Sequence, residues 1–161
     1  MNITEKILAR ASGKSSLSPD DVVFAKVDKV MVHDVSGPGV LKVFDKLQKQ
    51  GIDTSKLHDS TKVWIAEDHF VPSAEKISAE NIVKLSNFSK QYDIKKHFKY
   101  GMGQYGICHT LSHEEALVNP GEVYVGGDSH TNTTGGLGAF ACGLGHTDVA
   151  YVLLNGEIWF K

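Results

Sequence analysis

Apolar positions along the chain follow two rhythms. Dense blocks rich in β-branched and aromatic residues occur at 22–34 (VVFAKVDKVMVHD), 61–69 (TKVWIAEDH) and 122–127 (EVYVGG), and again at the end in GEIWFK. Such blocks predict strands. Between them the apolar residues are spaced three and four apart, which predicts helices. The first covers 4–12, with Thr4 as its cap and Ile7 and Leu8 inward. The second lies in SGPGVLKVFDKLQKQG, with Pro38 near its start and Gly51 just past its end. The third covers 78–94, with Ile82, Leu85 and Phe88 or Ser89 along one stripe. LSPDD is a turn, residues 95–108 are a strand or glycine-rich loop, and HTLSHEEALVNPG holds a short helix. Residues 134–155 are expected to be helical despite their glycines. Strands alternating with helices imply an α/β layered sheet. No repeat or low-complexity linker divides residues 1–161, so one domain without an internal boundary is expected.

Polar residues stand where the predicted strands stop: His33-Asp34, Asp68-His69 and Asp128-Ser129-His130. In open α/β sheets ligands sit beyond the carboxyl ends of strands. Of 16 glycines, 12 lie from Gly101 onward, which places the tight turns around a ligand in the second half.

Each polar group has more than one reading. His33-Asp34 with Ser36, before a helix start, suits substrate contact, or Asp34 or Ser36 simply caps that helix. Asp68-His69 suits proton transfer near neutral pH, or a solvated turn. His109 and His113 are four apart, a spacing that a helix would turn into two zinc ligands, though the spacing is not HExxH and no third ligand is obvious. Asp128, Ser129 and His130 are consecutive, so they cannot bond end to end as a Ser-His-Asp triad, and GxSxG is absent. In an extended segment Asp128 and His130 share a side opposite Ser129. With TNTTGG behind them, they form either an acid/base pair beside a carboxylate site or a capping turn. His58 and His97 are expected on the surface, Cys142 in helix packing, and His146-Thr147-Asp148 at a helix cap.

Composition narrows the classes. The chain is 41% hydrophobic and 22% charged, with a net charge of −2. That balance speaks against a nucleic-acid partner. No apolar run reaches the ~20 residues of a membrane span, and no signal peptide is evident. Two separated cysteines suggest a reducing, cytoplasmic setting. They are too few for a usual iron–sulfur site. Of 17 basic residues only Arg10 is an arginine, so an arginine clamp for a polyacid is not within this chain.

Taken in order, HDVSGP, EDHFVP, GQYGICH, NPGEVYVGGDSHT and GGLGAFACGLGHTDVAYVLLNGEIWFK resemble the aconitase superfamily along essentially the whole chain. The likeness is greatest to the large subunits of its isopropylmalate dehydratase and homoaconitase branch. The resemblance implies a three-layer α/β/α domain, incomplete here. It implies a hydro-lyase that isomerises a hydroxy polycarboxylic acid by dehydration and rehydration, as in leucine biosynthesis, with a [4Fe–4S] cluster as Lewis acid. By motif position, Asp68, His69, His109, Asp128 and His130 would be catalytic, and His33, Asp34, Ser36 and Ser129 would meet the substrate. Ser36 stands where the family commonly has threonine. The cluster cysteines would lie beyond Lys161, so no metal ligand is expected in this chain. The expected partners are a small polycarboxylate substrate, the remainder of the large subunit and a small swivelling subunit in a heterodimer. The chain would then be the N-terminal part of a large subunit, inactive alone. Homoaconitase or aconitase, a zinc hydrolase and a non-catalytic module are the other readings.

Overall fold

The computed structural model describes residues 1–161. Its centre is a five-stranded, all-parallel sheet. The strands are β2 (Lys29–His33), β3 (Val63–Ala66), β4 (Lys96–Phe98), β5 (Val123–Gly126) and β6 (Phe140–Gly143), in spatial order β4-β3-β2-β5-β6. A separate antiparallel ribbon pairs β1 (Val23–Lys26) with β7 (Glu157–Phe160).

Helices cover both faces, as the α/β/α expectation required. Val30, Val32, Val63, Ile65, Val123 and Val125 pack under α1 (Ile3–Ser12), α2 (Gly37–Lys49), α3 (Lys76–Gln91) and α5 (His146–Asn155). Strand parity turns Met31, Trp64 and Tyr124 to the opposite face. There they pack with Cys108 and Leu111 of α4 (Cys108–Glu114) and with Leu117 and Val118. This second layer is thin: α4 has seven residues, and beside it runs the 3-10 segment Thr131–Leu137. No helix is long and apolar enough to cross a membrane.

Several local expectations are corrected. The block 22–34 is two strands, not one. Asp28 breaks it: its Oδ2 accepts the Val123 N–H at 2.9 Å and an Arg10 N–H at 2.7 Å, which seats β2 against β5 and leaves β1 to the ribbon. The lone arginine is therefore spent on this junction, together with the Gly121 carbonyl. Residues 134–155 are not one helix. Gly138 takes φ 82°, ends the 3-10 segment, and lets Phe140–Gly143 add a strand beside β5. Cys142 thus lies on β6, not in a helix. The α5 cap is Gly145, with no side-chain bond from His146, Thr147 or Asp148. Asn2, not Thr4, caps α1, in a reciprocal box with Glu5. His97 on β4 has a buried side chain rather than a surface one. Pro38 and Gly51 bracket α2 as expected.

Candidate functional site

Because all five strands run the same way, their carboxyl ends share one edge of the sheet. β2 ends at His33, β3 runs on to Asp68-His69, and β5 runs on to Asp128. β2 and β5 are neighbours in the sheet, but the chain visits β3 and β4 on the far side of β2 before it reaches β5, so it reverses its winding between them. Ligands of open α/β sheets gather at such a switch point.

Asp128 is the hub. Its Oδ2 lies 3.3 Å from His33 Nε2 and 4.0 Å from His69 Nε2. Its Oδ1 lies 3.0 Å from His109 Nε2 and 3.4 Å from His130 Nδ1, and accepts the His130 N–H at 2.6 Å. Burial pushes the Asp128 carboxyl up, but the His130 N–H and the nearby His109 and His33 outweigh it, so it sits below the usual range. It is therefore an anion at neutral pH.

His33 is almost wholly buried, and its protonation is fixed locally. The Val35 and Ser36 N–H groups both donate to Nδ1, at 3.0 and 3.1 Å. Nδ1 therefore carries no proton, and Nε2–H faces Asp128. Desolvation, then the neighbouring His69, lowers the pKa of this imidazole. The two rings stack with centroids 4.5 Å apart.

His69 is 39% exposed. Its Nδ1 lies 2.8 Å from Asp68 Oδ1, which leaves Nε2 as the open nitrogen toward Asp128. Asp68 Oδ2 accepts the Cys108 N–H at 2.6 Å. Burial raises the Asp68 carboxyl, but the Cys108 N–H and His69 outweigh it, leaving it below its ordinary value. Asp34 is fully buried and accepts N–H bonds from His69 and Phe70. Ser36 is equally buried, its Oγ accepting the His33 N–H. Asp34 and Ser36 thus hold their neighbours, and neither caps α2 by a side-chain bond. Ser129 is exposed, and His130 has 79% of its side chain in solvent. Thr131 and Thr134 behind them are buried.

His113 does not join the cluster. Its Nδ1 lies 2.8 Å from the His109 carbonyl, one turn back on α4. The His109/His113 pair therefore does not converge on a metal. Two triplets do bring ligand atoms together, His33/Asp34/His69 and His109/Asp128/His130. Most of their lone pairs are already committed: Asp34 to backbone N–H groups, His33 Nδ1 likewise, Asp128 to His130 N–H and imidazoles. The arrangement is a hydrogen-bonded network of carboxylates and imidazoles.

A further residue of this region, Glu67, stands at the head of EDHFVP. Glu67 is buried, and parity with Ile65 signals it: two residues on from an inward apolar position, its side chain returns to the same face.

A test follows from His33. Its folded pKa lies below 6.5, so the unfolded chain binds the extra proton first as pH falls. The stability from the neutral ring is present above 6.5 and is lost progressively below it, by at most about 1.4 kcal/mol per pH unit. In His33→Asn the amide oxygen replaces Nδ1 as acceptor and nothing titrates. Urea unfolding at pH 7 and pH 5 should show a smaller drop for the variant than for the parent.

The family model described as the aconitase family (aconitate hydratase) matches residues 5–161. The chain belongs to the aconitase family. Curated relatives in the family include 3-isopropylmalate dehydratase large subunits from three bacteria. That of Caldicellulosiruptor saccharolyticus is 42% identical over 161 residues, the whole of this chain and 36% of that protein. Those of Heliobacterium modesticaldum and Aquifex aeolicus are 44% and 43% identical, with 37% and 35% of their lengths covered. The chain therefore spans little more than a third of the relatives it matches.

An aconitase-type cluster needs cysteine thiolates. The two free cysteines here do not fit that demand. Burial, then the Asp68 carboxylate, pushes the Cys108 thiol far up, and burial raises Cys142 as well. Both are held as thiols, on separate elements.

Proposed function

We propose that this chain supplies the acid/base wall of a hydro-lyase that dehydrates and rehydrates a hydroxy polycarboxylic acid, with 3-isopropylmalate as the substrate. The observation that carries the reading is one carboxylate, Asp128, ringed by four imidazoles at the carboxyl ends of β2, β3 and β5. The relatives named above supply the substrate, and their description as large subunits supplies the expectation of a small-subunit partner. A zinc hydrolase is disfavoured by the position of His113.

Removing water from a hydroxy acid requires a proton for the departing hydroxyl. His69 Nε2 carries it. Asp68 binds Nδ1, fixes the tautomer, and stabilises the imidazolium when both nitrogens are protonated. Asp128 Oδ2 stands 4.0 Å from the same Nε2. His33 stays neutral, keeps Asp128 in place through Nε2–H, and stacks on His69 so that the ring cannot swing. His109 holds the other oxygen of Asp128. His130 and Ser129, both exposed, face the substrate: Ser129 meets a carboxylate, and His130 handles a proton. Asp34 and Ser36 act by holding His69 and His33. The iron–sulfur cluster of the family takes its cysteines from outside this segment, as do the substrate arginines. The assembly works as a soluble enzyme of the cytoplasm.

The test is anaerobic assembly of the chain with the remaining large-subunit segment and a small subunit, followed by assay with isopropylmalate, homocitrate and citrate. Turnover greatest with isopropylmalate is expected. Equal indifference to all three, with a full cluster present, would exclude the reading.

A further inference from the structure

We propose that Glu67 is a positioning residue for the acid/base pair that follows it in the chain, acting through the segment that links β4 to α4. The inference rests on the proton-transfer reading of Asp68 and His69 given above.

Glu67 and Asp68 are consecutive, so they leave the end of β3 toward opposite faces. Each carboxylate binds one end of the same segment. Glu67 Oε2 accepts the Tyr100 N–H at 3.1 Å. Asp68 Oδ2 accepts the Cys108 N–H at 2.6 Å. Between these two points lie Gly101 and Gly103, at φ 75° and 82°, and Gly106. Three glycines in so short a span give the backbone little stiffness of its own. Its large side chains Tyr100, Met102, Tyr105 and Ile107 are all exposed, and the Tyr100 and Tyr105 rings meet edge-on within the segment itself, with centroids 4.9 Å apart. The path of the segment depends on its two pins, and it delivers His109 to Asp128.

The Glu67 pin is built into the fold. The side chain is only 5% exposed, and so is almost wholly cut off from water. His97 Nε2 stands 2.9 Å from Glu67 Oε1, close enough to pair yet out of line for a directed hydrogen bond, and His97 Nδ1 is buried without any partner. An apolar pair at this spot would pack at least as well. What it would lack is an acceptor for the Tyr100 N–H. Without Glu67, slack at Tyr100 passes along the glycines to the Cys108 N–H, which Asp68 would then hold alone. Asp68 is the group that orients His69.

The experiment is amide hydrogen exchange by NMR on the 161-residue chain, with the His69 ring-nitrogen resonances recorded alongside. Glu67→Ala should speed exchange about tenfold at both Tyr100 and Cys108, the scale of one lost charge-assisted hydrogen bond. It should also change the His69 ring-nitrogen resonances. Glu67→Gln keeps a carbonyl acceptor and should restore protection at Cys108. If Glu67→Ala does not fold, Glu67→Asp, one methylene too short to reach Tyr100, serves in its place with the same expectation. Faster exchange at Tyr100 alone, with Cys108 and the His69 ring unchanged, would overturn the proposal. No substrate enters this experiment, so its outcome is separate from that of the reaction proposed above.

Discussion

A Gly143→Ala chain is expected to lose about 3 kcal/mol of stability, a fall in Tm of roughly 6–12 °C for a domain of this size. The reason is a backbone-to-backbone approach. A Cβ on Gly143 would stand 2.3 Å from the Asp128 carbonyl oxygen and 3.2 Å from Ser129 Cα. Neither is a side chain that can rotate away. Gly143 ends β6, paired with Gly126 of β5, and the Leu144 N–H donates to the Gly126 carbonyl. Relief requires the 128–129 turn to move outward, and that turn carries the hub carboxylate. The stability loss should therefore come with altered ring resonances of His33, His69 and His109, the three imidazoles that approach Asp128 from other elements. By contrast, alanine at Gly135 meets nothing within 4 Å and serves as the control. Thermal unfolding of both variants by circular dichroism is the measurement. Equal Tm values would mean that the close packing of β6 on the site is wrong.

Asp128→Asn is expected to behave in the opposite way, leaving the fold intact and removing function. The carboxylate lies at the sheet edge rather than in either apolar layer, so the amide fits the space. It cannot replace the charge, and one oxygen becomes an N–H₂ that faces the Nε2–H of His33 or the N–H groups of His109 and His130. Donor would meet donor on one side of the hub. In the assembled enzyme, turnover should fall about 10²- to 10⁴-fold, the range for loss of a positioned acid/base system. Cluster content, measured alongside, should not change, because the network contains no cysteine. A small loss of turnover with a large loss of cluster would assign Asp128 a different part.

The candidate site was legible in the sequence as a place because the fold gathers polar side chains where apolar blocks stop. His33-Asp34, Asp68-His69 and Asp128-His130 each follow a buried strand, and parallel pairing brings those ends to one edge. Periodicity cannot see what happens across the sheet. The break at Asp28 arises from its bonds to Val123 and Arg10, both far away in sequence. The strand Phe140–Gly143 looked helical because small residues carry little periodic signal; its pairing with β5 decides it. His97 read as a surface residue because lysines flank it, yet strand parity buries it beside Glu67. The hydrogen bonds of Asp34 and Ser36 were also beyond a linear reading. Their complete burial shows only once the loops after β2 and β3 are seen to close on each other.

The central claim is that this chain provides the proton-handling wall of a hydroxy-polyacid dehydratase. Its most direct test is omission and add-back. The remaining large-subunit segment and the small subunit are assembled anaerobically without this chain, assayed with isopropylmalate, and assayed again after the purified chain is added. The account predicts no dehydration before addition and stoichiometric recovery after it. Full turnover without the chain, or no recovery in an assembly that has bound it and holds its cluster, would contradict the account.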